Sequence, residues 1–560
     1  MQATTSTSTI RRAIDIGACL AILLLLSHLS GPVVTPLPAI GTTASLFALV
    51  ILALLGGVVM ASRASTRDRV EVAILGMACA TVAVEVIAVL HFTPPYQTDE
   101  AALLQAAGTL VLHGRNPYGV DLARAYSTFH VSPYRLTPLA SGGFVRRLEY
   151  PGLAVLVSAV VVWVTHGYQA TVVADTAALI MVTVTGFVLL PAHLRGLAIV
   201  AVLALPGMTG LALDGLIAVS AIPSLVFAVW RWDAIGLSGR LGRLGTAQAA
   251  ALGMACALSQ IAWLVAPFLL IVIWRQRQRE LGWRIGAALS LRYILIAAAI
   301  FAVSNFPFMF ASPSAWSSSL GAPMFQHSIP LGLGLAALPV LTGVGGGFLA
   351  GYGVGAACLY LALLAAIWPW FDRLRSVALV LPALPTLVST RALTEYWVLL
   401  VPVWLVAAAT VAAQPRDSRR PSLAKARRAQ MAVKALSAAL AMAGLAAIGL
   451  AVTSPAPLSV AVTSAPIRGV PRSTAALGVR VKNLTDEALT PHFVVTVQIG
   501  TAVWLVRSGP HELAPGETAS YELVPPNPTY EVPAAPVQVG VLTNDPETIS
   551  VSPLAIASRQ

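Results

Sequence analysis

Apolar runs of about 15 to 25 residues recur from residue 13 to residue 452, each near the roughly 20 residues that carry an α-helix across a bilayer. They predict a polytopic α-helical membrane protein with about ten to thirteen spans. Short loops carrying Arg and Lys separate the runs, and the positive-inside bias orients them. Arg11 and Arg12 assign the N-terminus to the cytoplasm. Spans of roughly 13–29 and 44–61 then return the chain to "SRASTRDR", with Arg63, Arg67 and Arg69 on the same side, and a third span, about 70–92, leads out. The first run lacks a small-residue cleavage site, which predicts a retained helix.

The stretch 93–150 is therefore expected to be a long extracytoplasmic loop, in which "DEAALLQAAGTLVLHG" has the spacing of a short interfacial helix. Further on, Arg231, Arg240 and Arg243, and then Arg275, Arg277, Arg279 and Arg284, all favour the cytoplasm. The apolar stretch between these groups is either one span or, broken at "LSQ" (258–260), two half-helices that dip in and return. "FDRLR" (371–375) and 414–430 read as cytoplasmic, and a span over about 431–452 leads out again.

Beyond that span the period changes from helical to two. "GVRVKNLT", "HFVVTVQIG", "TAVWLVRSG", "SYELVPP" and "VQVGVLTN" alternate between Pro, Gly and Asn turns, which predicts a small β-sandwich. The expected organisation is a transmembrane domain over 1–455 and an extracytoplasmic β-sandwich domain over 460–560.

Composition agrees with the pattern. The chain is 57% hydrophobic and 10% charged, with mean hydropathy +0.79, too apolar for a soluble fold. The net charge of +12 sits in short loops between apolar runs, so topology accounts for it and nucleic acid is not an expected partner. Cys19, Cys79, Cys256 and Cys358 all fall inside apolar segments, without metal or disulfide spacing.

Chemistry concentrates in the outer loop. Asp99 and Glu100 either cap a helix, with Thr98 at its N-terminus, or act as a carboxylate base at the membrane rim. The same loop offers His113, Arg115, Asn116, Tyr118, His130, Arg135, Arg146, Arg147 and Glu149, and arginine is suited to phosphate oxygens. "RNPYG" and "EYPG" are turn chemistry, the latter opening the next helix. Asp214, flanked by a glycine in "GMTGLALDGLIAV", is a costly charge within an apolar run, and Glu85 and Asp175 read as structural. In later outer loops stand His327 and, in "STRALTEYW", Arg391, Glu395 and Tyr396, where Arg391 runs against the positive-inside tendency.

The order of these features over roughly residues 70–413 ("RNPYG", "EYPG", "GLALDGLIAVSAI", the helices around "LSQ", "NFPFMFASPSAW", "TRALTEYW") resembles the GT-C glycosyltransferases. Among them it resembles especially the bacterial polyprenyl-phosphate-sugar-dependent mannosyl- and arabinosyltransferases. The chain departs from the simplest pattern in two respects: two spans precede the one entering the first large loop, and Ser259 and Gln260 stand where related proteins often carry a basic residue.

The resemblance implies catalytic Asp99, with Glu100 as the neighbouring choice. Substrate binding would fall to His113, Arg115, Asn116, Tyr118, Arg146, Glu149, Asp214, His327, Arg391 and Tyr396. It implies a multi-pass plasma-membrane enzyme that moves a mannose- or arabinose-type sugar, with inversion, from a polyprenyl-phosphate donor to a cell-envelope glycan or glycolipid. Membrane lipid would be a further partner, and no cofactor or metal is indicated by a single acidic pair. A transporter or flippase of lipid-linked sugars, and a noncatalytic scaffold presenting the sandwich, are the competing classes. A transporter would be expected to show internal repeats and polar residues at mid-membrane.

Overall fold

The structure is a computed structural model that describes residues 2–34, 56, 59, 66–92, 96–167, 169–204, 207–325, 327, 329–332, 334–412, 424–465, 467–468, 473–474, 476–497, 500–526 and 536–555. The expected span 44–61, apart from Gly56 and Val59, and most of the run 414–430 lie outside these residues.

Five described helices are long and apolar enough to cross a membrane: Arg67–His91, Ala170–Leu189, Trp283–Ala311, Ala350–Ile367 and Arg428–Thr453. Shorter apolar helices accompany them at Gly152–Thr165, Ala192–Leu203, Ala218–Val229 and Glu395–Thr410. Of the apolar window in Trp283–Ala311 only 17% is buried, so most of that surface needs a nonaqueous neighbour, whereas Ala170–Leu189, 56% buried, packs inside the bundle. Small residues allow close helix approach, as at Gly253, where a Cβ would fall 2.8 Å from Ile300 Cβ on the crossing helix.

Polar contacts define two ends of this bundle. At one end Arg11 pairs with Asp68 and Glu71, joining the starts of the helices Gln2–Val34 and Arg67–Phe92. Asp233 lies 3.6 Å from Arg375 and accepts the Ala412 N–H at 2.9 Å, while Arg279 pairs with Asp372. At the other end Gln260 donates to the Glu149 carbonyl, and Asn305 Oδ1 accepts the Gly152 N–H at 2.7 Å.

These contacts define the middle of the chain. The helices Gly242–Leu258 and Ile261–Leu281, of 17 and 21 residues, form a hairpin whose turn at Ser259–Gln260 touches Glu149. Both arginine groups lie at its open end, as charge required. At about 1.5 Å per residue the arms are roughly 26 and 32 Å long, so the pair traverses the bundle rather than dipping halfway into it.

After the helix Ala424–Thr453, two antiparallel four-stranded sheets follow. One orders Leu458–Ser464, Leu477–Asn483, Thr518–Val524 and Leu505–Ser508; the other orders Glu547–Val551, Gln538–Asn544, His492–Val497 and Gly500–Val503. Val460, Val479, Val481 and Leu523 of the first share a core with Phe493, Val495, Val539 and Val541 of the second. Burial alternates strictly along Leu477–Asn483, as the period-two pattern requires. Two of the four edge strands, Leu458–Ser464 and Glu547–Val551, escape the sequence pattern because the first follows closely on an apolar helix and the second is short.

Candidate functional site

The loop acids belong to the helix Asp99–Leu112. Thr98 is its N-cap and accepts the Ala101 N–H at 3.2 Å, so the capping role falls to the hydroxyl. The Asp99 carboxylate, 5% exposed, accepts the Glu100 N–H at 2.9 Å on Oδ1 and the Thr137 N–H at 2.7 Å on Oδ2. Gly108 lets this helix lie against Gly152–Thr165, since a Cβ there would stand 2.9 Å from the Ala159 nitrogen.

"EYPG" is fixed at three points. Gln260 holds the Glu149 carbonyl, Tyr118 Oη donates to the Tyr150 carbonyl at 2.7 Å, and Asn305 takes the Gly152 N–H. Glu149 and Tyr150 thereby face Asp99, Glu100, Leu103, Thr137, Val145, Arg147 and Arg391 across a narrow crevice. Arg391 reaches it from a short parallel pairing, Leu331 with Arg391 and Gly332 with Ala392. Its Nε is buried without a hydrogen-bond partner among the described residues.

The crevice adjoins an open cleft of about 380 Å³ between the loop 139–149 and the helix Pro313–Phe325. Val145, Arg147 and Glu149 line both spaces, and Arg146, Phe144, Ser318 and Ser319 line the outer one.

Burial pushes the Asp99 carboxyl above its ordinary value, opposed by the Thr137 N–H, the Arg391 charge and the Glu100 N–H. Glu100 is pushed up to about 8, first by burial and then by Asp99 and Glu395, against a hydrogen bond with Tyr150 and the Arg391 charge. Burial works against the Arg391 guanidinium, but Tyr396, Glu100, Glu149 and Asp99 outweigh it and raise its pKa. Adjacent carboxyls with different hydrogen-bond environments suit different proton roles: two backbone donors stabilise the Asp99 anion against the burial that raises its pKa, while Glu100, pushed up to about 8, holds its proton more firmly than a solvated carboxyl.

The other predicted residues divide. Glu149 and Arg391 line the crevice, and Tyr396 neighbours Arg391 at the start of the helix Thr394–Thr410. Arg146 stands in the outer cleft, its guanidinium 4.9 Å from the Phe144 ring and 3.9 Å from Asp121. Asp214 meets the site through its backbone, where its carbonyl accepts from Thr98 Oγ1 at 3.0 Å.

His113 caps the far end of the Asp99–Leu112 helix, about 20 Å from Asp99 by helical rise. Arg115 is exposed beside it, and Asn116 Oδ1 accepts the Tyr118 N–H at 3.1 Å in a local turn. Tyr118 is buried and acts on Tyr150. His327 lies 3.2 Å from Glu547 of the second sheet.

Thr137 and Tyr150 were not singled out by sequence reasoning. Thr137 contributes a backbone N–H, which no residue type announces, and Tyr150 was covered by the turn reading of "EYPG". Among the described residues no three His, Cys, Asp or Glu side chains group to hold a metal ion. No protein-family model, curated protein or solved structure matches the chain.

Proposed function

We propose that the chain is a multi-pass membrane glycosyltransferase of GT-C type. It moves a mannose- or arabinose-type sugar from a polyprenyl-phosphate donor to a glycan or glycolipid acceptor on the extracytoplasmic face, with inversion. The spans beyond the five long ones are then the helix Gln2–Val34, the shorter apolar helices and the Gly242–Leu281 hairpin. The observation that carries this reading is the buried Asp99 and half-buried Glu100, opposed by Arg391 in a crevice that adjoins an arginine-bearing cleft.

In this reaction the acceptor O–H loses its proton to Asp99 as its oxygen bonds to the anomeric carbon. The bond from that carbon to the phosphate oxygen breaks, and polyprenyl phosphate departs with the electron pair. Arg391, held among acids and short of one hydrogen-bond acceptor, supplies positive charge to the phosphate. The raised pKa of Asp99 makes it a stronger base than a solvated carboxylate.

One observation favours the transport reading. Asp175, fully buried within Ala170–Leu189, accepts from Ser220 at 2.6 Å, and an intramembrane carboxyl is a common feature of ion-coupled carriers.

The deciding experiment follows sugar transfer from a radiolabelled polyprenyl-phosphate sugar by the full chain in nanodiscs. Asp99→Asn keeps an oxygen for the Thr137 N–H but cannot accept a proton at neutral pH. Transfer is expected to fall on the order of a hundred- to ten-thousandfold, with folding intact. Near-normal transfer by Asp99→Asn would remove Asp99 from the base role. Wild-type protein that moves the intact lipid across the bilayer without cleaving it would replace catalysis with transport.

A further inference from the structure

The β-sheet unit is tied to the loop that touches Asp99. The turn Pro133–Arg135 leaves the helical part and buries Tyr134, 4% exposed, in the core shared by the two sheets, among Phe493, Trp504 and Tyr521. There Trp504 Nε1 donates to Tyr134 Oη at 3.2 Å. The chain then turns back as a tight hairpin. Val145 N donates to the Thr137 carbonyl at 3.0 Å and Leu139 N to the Gly143 carbonyl at 3.1 Å.

Two further braces reach the same hairpin. Gly142, at φ 80°, lies so close to His492 that a Cβ would stand 2.7 Å from its Nδ1. Ala140 N donates to the His327 carbonyl at 2.7 Å, and the His327 ring lies 3.2 Å from Glu547. The hairpin is thus held on one side by the sheets and on the other gives its Thr137 N–H to Asp99.

We infer that Tyr134, locked by Trp504, is a positioning residue through which the C-terminal sheets hold the Thr137 N–H on the Asp99 carboxylate. The inference rests on the glycosyltransferase reading for its catalytic consequence, though the tether itself does not. The Thr137 N–H favours the ionised carboxylate, so releasing it raises the Asp99 pKa further. It also frees Val145 and the following Arg147 and Glu149, which line the crevice.

The test uses the full chain in nanodiscs and reads two signals. In Tyr134→Ala, hydrogen exchange of peptides within 136–147 is expected to quicken severalfold, while peptides of Ala170–Leu189 keep their wild-type rates. In the same variant kcat for sugar transfer is expected to fall on the order of 10- to 100-fold, with KM little changed and the acid limb of the pH–rate profile moved to higher pH. Tyr134→Phe, which keeps the ring in the core, should restore most of both signals.

Should Tyr134→Ala not fold, Tyr134→Leu keeps an apolar side chain in the core, removes the ring and its hydroxyl, and carries the same test at smaller amplitude. Unchanged exchange in 136–147 overturns the tether. Quickened exchange with unaltered kcat and pH profile overturns the positioning role. If the wild-type protein transfers no sugar, the glycosyltransferase reading and the positioning role fall together, and exchange alone then decides the tether.

Discussion

Thr98 Oγ1 donates to the Asp214 carbonyl at 3.0 Å, joining the start of the Asp99–Leu112 helix to the loop that precedes Ala218–Val229. The same oxygen accepts the Ala101 N–H at 3.2 Å. One hydroxyl therefore closes the helix end and anchors it to the bundle, leaving Asp99 to face Thr137.

Thr98→Val keeps the shape and removes both bonds. Loss of an N-cap costs about 1 kcal/mol, and the Asp214 carbonyl loses its donor as well. The variant is expected to melt at a lower temperature and to lose less than about tenfold in transfer rate, far less than Asp99→Asn. Thr98→Ser should recover both. A Thr98→Val enzyme as inactive as Asp99→Asn would show that the hydroxyl touches substrate rather than only holding the helix.

Glu100 predicts two pH dependences, one of stability and one of transfer, the latter opposite in sign to that of Asp99. The folded chain holds the Glu100 proton up to about 8, whereas an unfolded chain releases it near 4.5. Folding therefore takes up a proton between these values, and the stability from neutral Glu100 is present below about 4.5 and declines as pH rises through about 8. Glu100→Gln cannot ionise, so its melting temperature should vary less across that window than the wild type does. Transfer should show an acid limb from Asp99 and an alkaline limb near pH 8 from Glu100, and Glu100→Gln should lose only the second. A wild-type alkaline limb that survives unchanged in Glu100→Gln would assign it to another group.

What was legible in the sequence follows from how far each interaction reaches along the chain. Apolar length announced the helices Arg67–Phe92 and Ala424–Thr453, and alternation announced Leu477–Asn483, because both signals are local. Arg391 was singled out because a lone arginine after a segment expected to run outward breaks the charge rule, and the fold places it on the crevice. His113, Arg115 and Asn116 share a loop with Asp99 yet lie beyond the far end of its helix, since helical rise separates what sequence proximity suggests is together.

The bond of Thr137 to Asp99 is a backbone contact. The burial of Tyr134 beside Trp504 joins positions 370 residues apart, and neither leaves a local pattern. Gln260 was noted as a missing cation; in the fold it is the clamp on the Glu149 carbonyl, a role an amide N–H fills without charge.

The last prediction concerns which side of the membrane each end of the bundle occupies. The basic end carries Arg11, Arg279 and Arg375, and the positive-inside rule assigns it to the cytoplasm. The Asp99 end, with the β sheets, then faces outward, where a lipid-linked donor is the available sugar source for the proposed reaction. Ser127, exposed in the stretch that follows the Asp99–Leu112 helix, and Ser238, exposed in the turn Gly236–Gly239, mark the two ends. The native cysteines, Cys19, Cys79, Cys256 and Cys358, all sit in buried or partly buried helical positions, which keeps background reaction low. A membrane-impermeant maleimide applied to intact cells is expected to label Ser127→Cys and spare Ser238→Cys, and permeabilisation should make both react. Labelling of Ser238→Cys alone in intact cells would invert the topology, place Asp99 where nucleotide sugars are available, and remove the reason for a polyprenyl-phosphate donor.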